Sequence, residues 1–172
     1  MLSEGVFVKS SGTTGIQKHI FRTPENLEAC NKIAIECQQI TKKSKIYTVC
    51  KMEHAGGLLA QTLPAFSIGA EVTVEQFNAY KFVKEINKYT HTHLAPDHAK
   101  AIIKTKGFKD LNLKGIWITC GSNPVEWHII ESFVNKGATF MANWGMSEIG
   151  PLTINKVFYN LDQIQEVKRK ET

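Results

Sequence analysis

No apolar run in this 172-residue chain approaches the roughly 20 residues that a membrane-crossing helix needs. The start, Met1-Leu2-Ser3-Glu4, lacks the basic and then apolar layout of a signal peptide. Together the two absences make a cytoplasmic compartment the expectation. Cys30, Cys37, Cys50 and Cys120 include no C-x-x-C pair, and an even count carries little weight in an intracellular chain. Buried thiols are expected, with Cys30 and Cys37 two helical turns apart on one apolar face. There is no internal repeat and no low-complexity linker, so the length predicts one domain. Blocks of basic residues are also scarce. The net charge is +5, yet the lysines are scattered, with short runs only at Lys42-Lys43 and Lys168-Arg169-Lys170. Solvated surface and counter-charge for an anionic ligand account for them more simply than nucleic acid.

What is present is ordinary for a globular protein, 42% hydrophobic and 22% charged, apart from two short segments. The first is Ser10-Ser11-Gly12-Thr13-Thr14-Gly15-Ile16-Gln17-Lys18. Glycines let the backbone approach an anion closely, so that successive N–H groups converge on it, and the hydroxyls of Ser10, Ser11, Thr13 and Thr14 add donors. Lys18 supplies a mobile cation. The spacing of Gly12 and Gly15 fits neither the NTPase loop nor the G-x-G-x-x-G dinucleotide fingerprint. A plain turn between strands is the alternative.

Gly5–Lys9 and His19–Arg22 read as strands on either side of that loop. Thr23 and Pro24 mark the start of a helix over 24–41 carrying Leu27, Cys30, Ile33, Ala34, Cys37 and Ile40 at helical spacing. Strands at 45–50, 70–74, 92–95, 115–119 and 139–143 then alternate with helices at 57–66, 78–89, from Pro96 and from Asn123-Pro124-Val125-Glu126. The last of these presents Trp127, Ile130, Phe133 and Val134. Such alternation predicts a layered α/β fold, a largely parallel sheet flanked by helices, with ligands at the carboxyl ends of the strands. The tail at 152–172 carries no clear assignment.

The second segment is Asn143-Trp144-Gly145-Met146-Ser147-Glu148-Ile149-Gly150. An aromatic offers a flat face to a purine, a hydroxyl three residues on suits a phosphate, and the adjacent carboxylate suits Mg²⁺ held against that phosphate. A plain strand exit with one packed Trp is the alternative.

At this point the chain resembles the adenylate-forming superfamily of acyl-CoA synthetases, nonribosomal-peptide adenylation domains and luciferases. Ser10 to Lys18 looks like its phosphate loop S-S-G-T-T-G-x-P-K, with Gln17 in place of proline. His54-Ala55-Gly56-Gly57 looks like the segment whose histidine or aromatic lines the carboxylate pocket. Thr119-Cys120-Gly121-Ser122-Asn123-Pro124 resembles the G-G-A-P-L turn beneath adenine, and Trp144-Gly145-Met146-Ser147-Glu148 resembles Y-G-x-T-E. The resemblance implies ATP or AMP binding by Ser10 to Gly15, Lys18, Gly121, Ser122 and Asn143 to Ser147. Trp144 would stack on adenine, Ser147 would meet the α-phosphate and Glu148 would hold Mg²⁺. Lys18, Glu148 and His54 would serve an ATP-dependent activation of a small carboxylate, with coenzyme A as the usual acceptor.

The departures are Trp for tyrosine, Ser for threonine, and Ser122 for the second glycine, which narrows the adenine slot. The family's later aspartate, hinge and C-terminal lysine have no counterpart after Gly150, and the resemblance covers the central subdomain alone. The chain is therefore expected to be an incomplete catalyst whose uncovered surface favours a homodimer or a complementing chain. A catalytically silent nucleotide-binding or assembly module is the second reading. His91, His93 and His98 admit a metal by spacing, but a solvated or hydrogen-bonded face, with Asp97 as a partner, is the commoner arrangement.

Overall fold

The computed structural model describes residues 3–10 and 17–171. Two strands come first, β1 (Val6–Lys9) and β2 (His19–Arg22), paired antiparallel with Val6 opposite Arg22 and Lys9 opposite His19. The loop between them joins two strands as the sequence predicts. Its residues Ser11, Gly12, Thr13, Thr14 and Gly15 lie outside the described residues.

Helix α1 (Pro24–Cys37) begins where Thr23 Oγ1 accepts from the Asn26 N–H at 3.3 Å, with proline in the first turn. It ends at Cys37, short of the expected 41. Gln39 takes φ +55° and the Ile40 N–H folds back to the Ile35 carbonyl, a left-handed helix end that turns Ile40 into the core.

The main sheet is built from β3 (Lys45–Thr48), β4 (Glu71–Val74), β5 (His91–Leu94), β6 (Trp117–Cys120), β7 (Thr139–Met146) and β8 (Gly150–Phe158), in the order β4-β3-β5-β6-β7-β8. Every neighbouring pair is parallel except β7–β8, which folds back as an antiparallel hairpin. The expected strand at 139–143 thus runs on to Met146, and the tail without an assignment supplies β8 and α7 (Leu161–Glu171).

Strand residues alternate between the two faces, and helices cover both. On one side α4 (Ala79–Glu85), α5 (Pro96–Ile103), α6 (Trp127–Asn135) and α7 enclose Tyr47, Leu94, Ile118 and Phe140 together with Phe82, Ile102, Phe133 and Ile164. On the other, α1 and the helical run α2 (Ala55–Gly57) and α3 (Leu63–Ser67) cover Ile46, Trp117 and Met141. Asn78 caps α4, accepting from the Lys81 N–H at 2.9 Å. The start expected at Asn123 is displaced: α6 begins at Trp127 with Glu126 as its cap, because Ser122 sits at φ +75° and Glu126 is held extended beside Lys100 and His128. Ile129 is buried on α6 along with the expected Ile130, Phe133 and Val134.

Between α2 and α3 the helix widens into a π turn, Leu58–Thr62, in which the Leu63 N–H bonds to the Leu58 carbonyl. Pro64 has no N–H to offer the Ala60 carbonyl. Gln38 replaces it, its Nε2 donating to Ala60 O at 2.7 Å. A buried polar network grows from there: Gln61 Nε2 donates to Gln38 Oε1 at 2.9 Å and Thr119 Oγ1 donates to the same oxygen at 2.6 Å.

Candidate functional site

A cleft of about 600 Å³ opens along the carboxyl edge of the parallel strands, within the usual range for a ligand site. The order of the strands sets its layout. The β3 and β5 end contributes Cys50, Lys51, His93 and Ala95, β6 contributes Ser122, and β7 contributes Asn143, Gly145 and Met146, followed by the Ser147–Glu148 turn. Lys9, Ser10, Gln17 and Lys18 from the β1–β2 hairpin line it as well. Ser10, Gln17 and Lys18 of the first segment and Asn143, Gly145, Met146, Ser147 and Glu148 of the second therefore face one space.

Local chemistry explains each placement. Ser10 closes the base of the first loop: its N–H donates to Lys18 O at 2.9 Å and its Oγ accepts from the Lys18 N–H at 3.0 Å. His54 tethers the hairpin to the sheet. Lys9 N–H donates to Glu53 O at 2.7 Å, and His54 Nδ1 lies 3.2 Å from Lys9 O. The Lys9 ammonium adds an ion pair with Glu53 at 2.7 Å.

At the other end, a Cβ on Gly121 would run into Asn143, so glycine is what allows that asparagine to lie across β6. Asn143 Nδ2 donates to Pro151 O at 2.6 Å while its Oδ1 is buried without a partner. Ser122 keeps the left-handed backbone that glycine favours, a conformation costing about 1–2 kcal/mol for a side chain with a Cβ. Gly121 itself stands behind the wall, and Trp144 is off it. Asn143 and Gly145 take the cleft face of β7, so the intervening Trp144 points away and is 52% exposed, opposite Ile154. An irregularity between Trp144 and Met146 returns Met146 to the cleft.

Arg22, which the sequence reading passed over, organises the second loop. It is 3% exposed; its Nη1 donates to Ser147 O at 3.0 Å and to Glu148 O, and its Nη2 contacts Cys30 Sγ at 3.0 Å. The strand leaving the first loop thus clamps the turn of the second. The signal was present in the register: Arg22 alternates with Ile20 on the inner face of β2, an inward position for a charge.

Lys9, Lys18 and Lys51 against Glu148 give the cleft a cationic balance suited to a polyphosphate. The expectation of a solvated or hydrogen-bonded face is met in part, by hydrogen bonding at His91, whose partners are Gln38 and Thr90 rather than Asp97. His91 is buried and hydrogen-bonded, Nε2 to Gln38 O at 2.9 Å and Nδ1 to Thr90 Oγ1 at 2.8 Å. His93 is buried too, and burial together with the nearby His98 lowers its pKa to about 4. Burial pushes the Cys50 thiol up to about 11 and lowers His98, against a weaker upward pull from Asp97. Among the described residues no three His, Cys, Asp or Glu side chains come together to hold a metal. All four cysteines are free thiols; Cys120 is buried and the others half-buried.

A sequence profile described as AMP-binding enzyme matches residues 7–171. An indoleacetate–CoA ligase of Aromatoleum aromaticum is 29% identical over 148 residues, covering 83% of this chain and 29% of that protein. The chain thus spans less than a third of that relative's length. Among solved structures, ATP-bound MatB from Rhodopseudomonas palustris superimposes with a TM-score of 0.76 at 16% identity, covering 88% of this chain and 30% of the other. The adenylation domain of a keto acid-selecting NRPS module, bound to keto acyl adenylate, gives 0.76 at 17% identity over 92% of this chain and 32% of that one. E. coli MenE with a bound OSB-AMS analogue gives 0.73 at 14% identity over 90% and 33%. No helix among the described residues is long and apolar enough to cross a membrane.

Proposed function

Since the chain belongs to the AMP-binding enzyme family, we propose that its cleft holds Mg·ATP and a small carboxylate and serves transfer of AMP to that acid. In that reaction a carboxylate oxygen attacks the α-phosphorus, the bond from that phosphorus to the bridging oxygen breaks, and acyl-adenylate and pyrophosphate result. Likeness to a CoA ligase supports coenzyme A as the thiol that then takes the acyl group.

The observation that carries this reading is the meeting of Ser10 and Lys18 with Asn143, Ser147 and Glu148 across one cleft at the strand ends. Lys18 neutralises the terminal phosphates, where charge grows as pyrophosphate leaves. The Ser147 hydroxyl faces the α-phosphate, and Arg22 fixes the backbone from which it projects. The Arg22 guanidinium bonds to the Ser147 and Glu148 carbonyls and to Cys30 Sγ, which leaves the Glu148 carboxylate for a cation at the cleft. One carboxylate beside a phosphate fits Mg²⁺, which is usually held by one or two carboxylates and substrate oxygens. When bound, the ion would draw charge from the phosphates. Asn143 and Ser122 border the base, and His54, tied to Lys9, faces the acid.

The test pairs Mg·ATP calorimetry with ATP–pyrophosphate exchange over a panel of carboxylates. Exchange that requires both an added acid and Glu148 supports an adenylate-forming ligase. Nucleotide binding with no exchange for any acid reassigns the chain to a silent nucleotide-holding or assembly module. Absence of nucleotide binding contradicts both.

A further inference from the structure

The end of the cleft beside β3 and β5 contains a group that no protein atom satisfies. His93 is 6% exposed, lines the cleft, and has neither Nδ1 nor Nε2 hydrogen-bonded. Unpaired polar atoms at that depth are uncommon, because each forfeits its hydrogen bonds to water without replacement. Its neighbours are already engaged. Cys50 Sγ donates to the His93 carbonyl at 3.3 Å and sits 3.7 Å from His98 Nδ1, and the His98 ring stacks on Phe77 with centroids 4.0 Å apart. Gly56 presses on the ring so closely that a Cβ there would lie 2.8 Å from His93 Cε1. The imidazole is held in place with nothing of the protein to bond to.

Under the reading above, the contacts to the base and the α-phosphate lie away from His93. Ser147, Glu148 and Asn143 belong to β7 and its turn, two strands along the sheet from His93 on β5, or roughly 10 Å at the usual strand spacing. What remains at the β3–β5 end is space for the acid's tail. Burial keeps His93 neutral, so it offers one donor and one acceptor. The Cys50 thiol is neutral as well. Such a corner bonds an uncharged polar group and disfavours an ionic one.

We propose that the corner formed by Cys50, Gly56, His93 and His98 is the selectivity site for the acid, and that it takes carboxylates whose far end is uncharged and carries an O–H or ring N–H. The proposal rests on the adenylate-forming reading and adds the class of substrate to it. His93 is then a specificity-determining residue that touches the acid rather than the reacting phosphate.

The experiment measures acid binding by calorimetry on the full chain saturated with AMP, using phenylacetate, 4-hydroxyphenylacetate and 4-carboxyphenylacetate. The hydroxylated acid should bind at least about ten-fold more tightly than phenylacetate, with the dicarboxylate weakest. His93→Phe keeps an aromatic ring and removes both nitrogens; it should erase the preference while leaving AMP affinity unchanged. In the wild type, the His93 ring nitrogen resonances should move on adding 4-hydroxyphenylacetate and stay still with phenylacetate, a readout that needs no variant to fold. Equal affinity for the two neutral acids, a preference that survives His93→Phe, or unmoved nitrogen resonances would overturn the proposal while AMP binding, and the reading beneath it, stands. Failure to bind AMP at all removes that reading, and the proposal falls with it.

Discussion

The two loops that meet in the cleft are supported in opposite ways. The first hangs from a two-stranded hairpin outside the main sheet, joined to it near Lys9 by a backbone bond to Glu53, the His54 contact and an exposed ion pair. The second closes a hairpin that continues the six-stranded sheet, and the buried guanidinium of Arg22 holds its turn. Lys18 at the described base of the first loop and Ser147 and Glu148 in the second turn thus reach the cleft from separate supports. Arg22 belongs to the first support by sequence and to the second by contact, so it couples the two.

The sharpest way to break the contrast is to remove that coupling. Arg22→Met should leave the Ser147 and Glu148 carbonyls without a donor and lower stability by about 3 kcal/mol, read from the urea midpoint. Arg22→Lys should recover only a minor part, because a single ammonium cannot reproduce the fork that spans two carbonyls and a thiol. Full recovery by lysine would show that charge alone, and not the fork, holds the turn.

A similar effect, with the opposite distribution, comes from acid. His93 has a folded pKa of about 4 against an ordinary value of 6.5, so the unfolded chain binds the proton first and stability falls as pH drops from about 6.5 towards 4. The loss approaches about 3 kcal/mol, with His91 and His98 shifted in the same direction. His93→Phe should flatten this acid limb in a series of denaturant melts. An unchanged limb would place the sensitivity elsewhere.

Breaking the hairpin's own link should cost far less. Lys9→Ala removes an ion pair whose side chains are 36% and 46% exposed, worth under about 1 kcal/mol in a thermal melt. The hairpin's outer face offers a test of assembly instead. Phe7 and Phe21 are 65% and 47% exposed, with ring centroids 5.0 Å apart. Phe7→Ser with Phe21→Ser should shrink the particle seen by light scattering at micromolar concentration, whereas a wild type that is already monomeric would contradict it. Smallest of all is Trp144→Ala. With its ring outside the cleft, AMP affinity should change less than about three-fold, well below the roughly ten-fold that corresponds to 1.4 kcal/mol. A larger loss would mean the strand end turns to bring the ring over the base.

Legibility in the sequence followed the range of the interaction. Local signals were readable: Thr23 with Pro24 opens α1, and the strands form close to their expected positions. Long-range compensation was not. The π turn depends on Gln38 reaching the carbonyl that Pro64 leaves unpaired, and the early end of α1 depends on a backward bond from Ile40. In the site, the described residues of both segments meet as their motifs imply, yet strand alternation puts Trp144 outside while Asn143 and Gly145 look in. Arg22 carries no motif, and the H-x-H spacing that holds His93 points to a metal rather than to an unpaired ring. They matter because burial isolates them, and burial is settled only when the sheet has closed.

Calorimetry of Mg·ATP and AMP with wild type and Lys18→Ala tests most directly whether the two loops share a single Mg·nucleotide site. Lys18→Ala should weaken Mg·ATP by ten- to a hundred-fold, about 1.5–3 kcal/mol for a charge-assisted contact, and leave AMP nearly unchanged. Equal losses for the two nucleotides, or no loss for either, would contradict the placement of Lys18 on the terminal phosphates and the shared site with it.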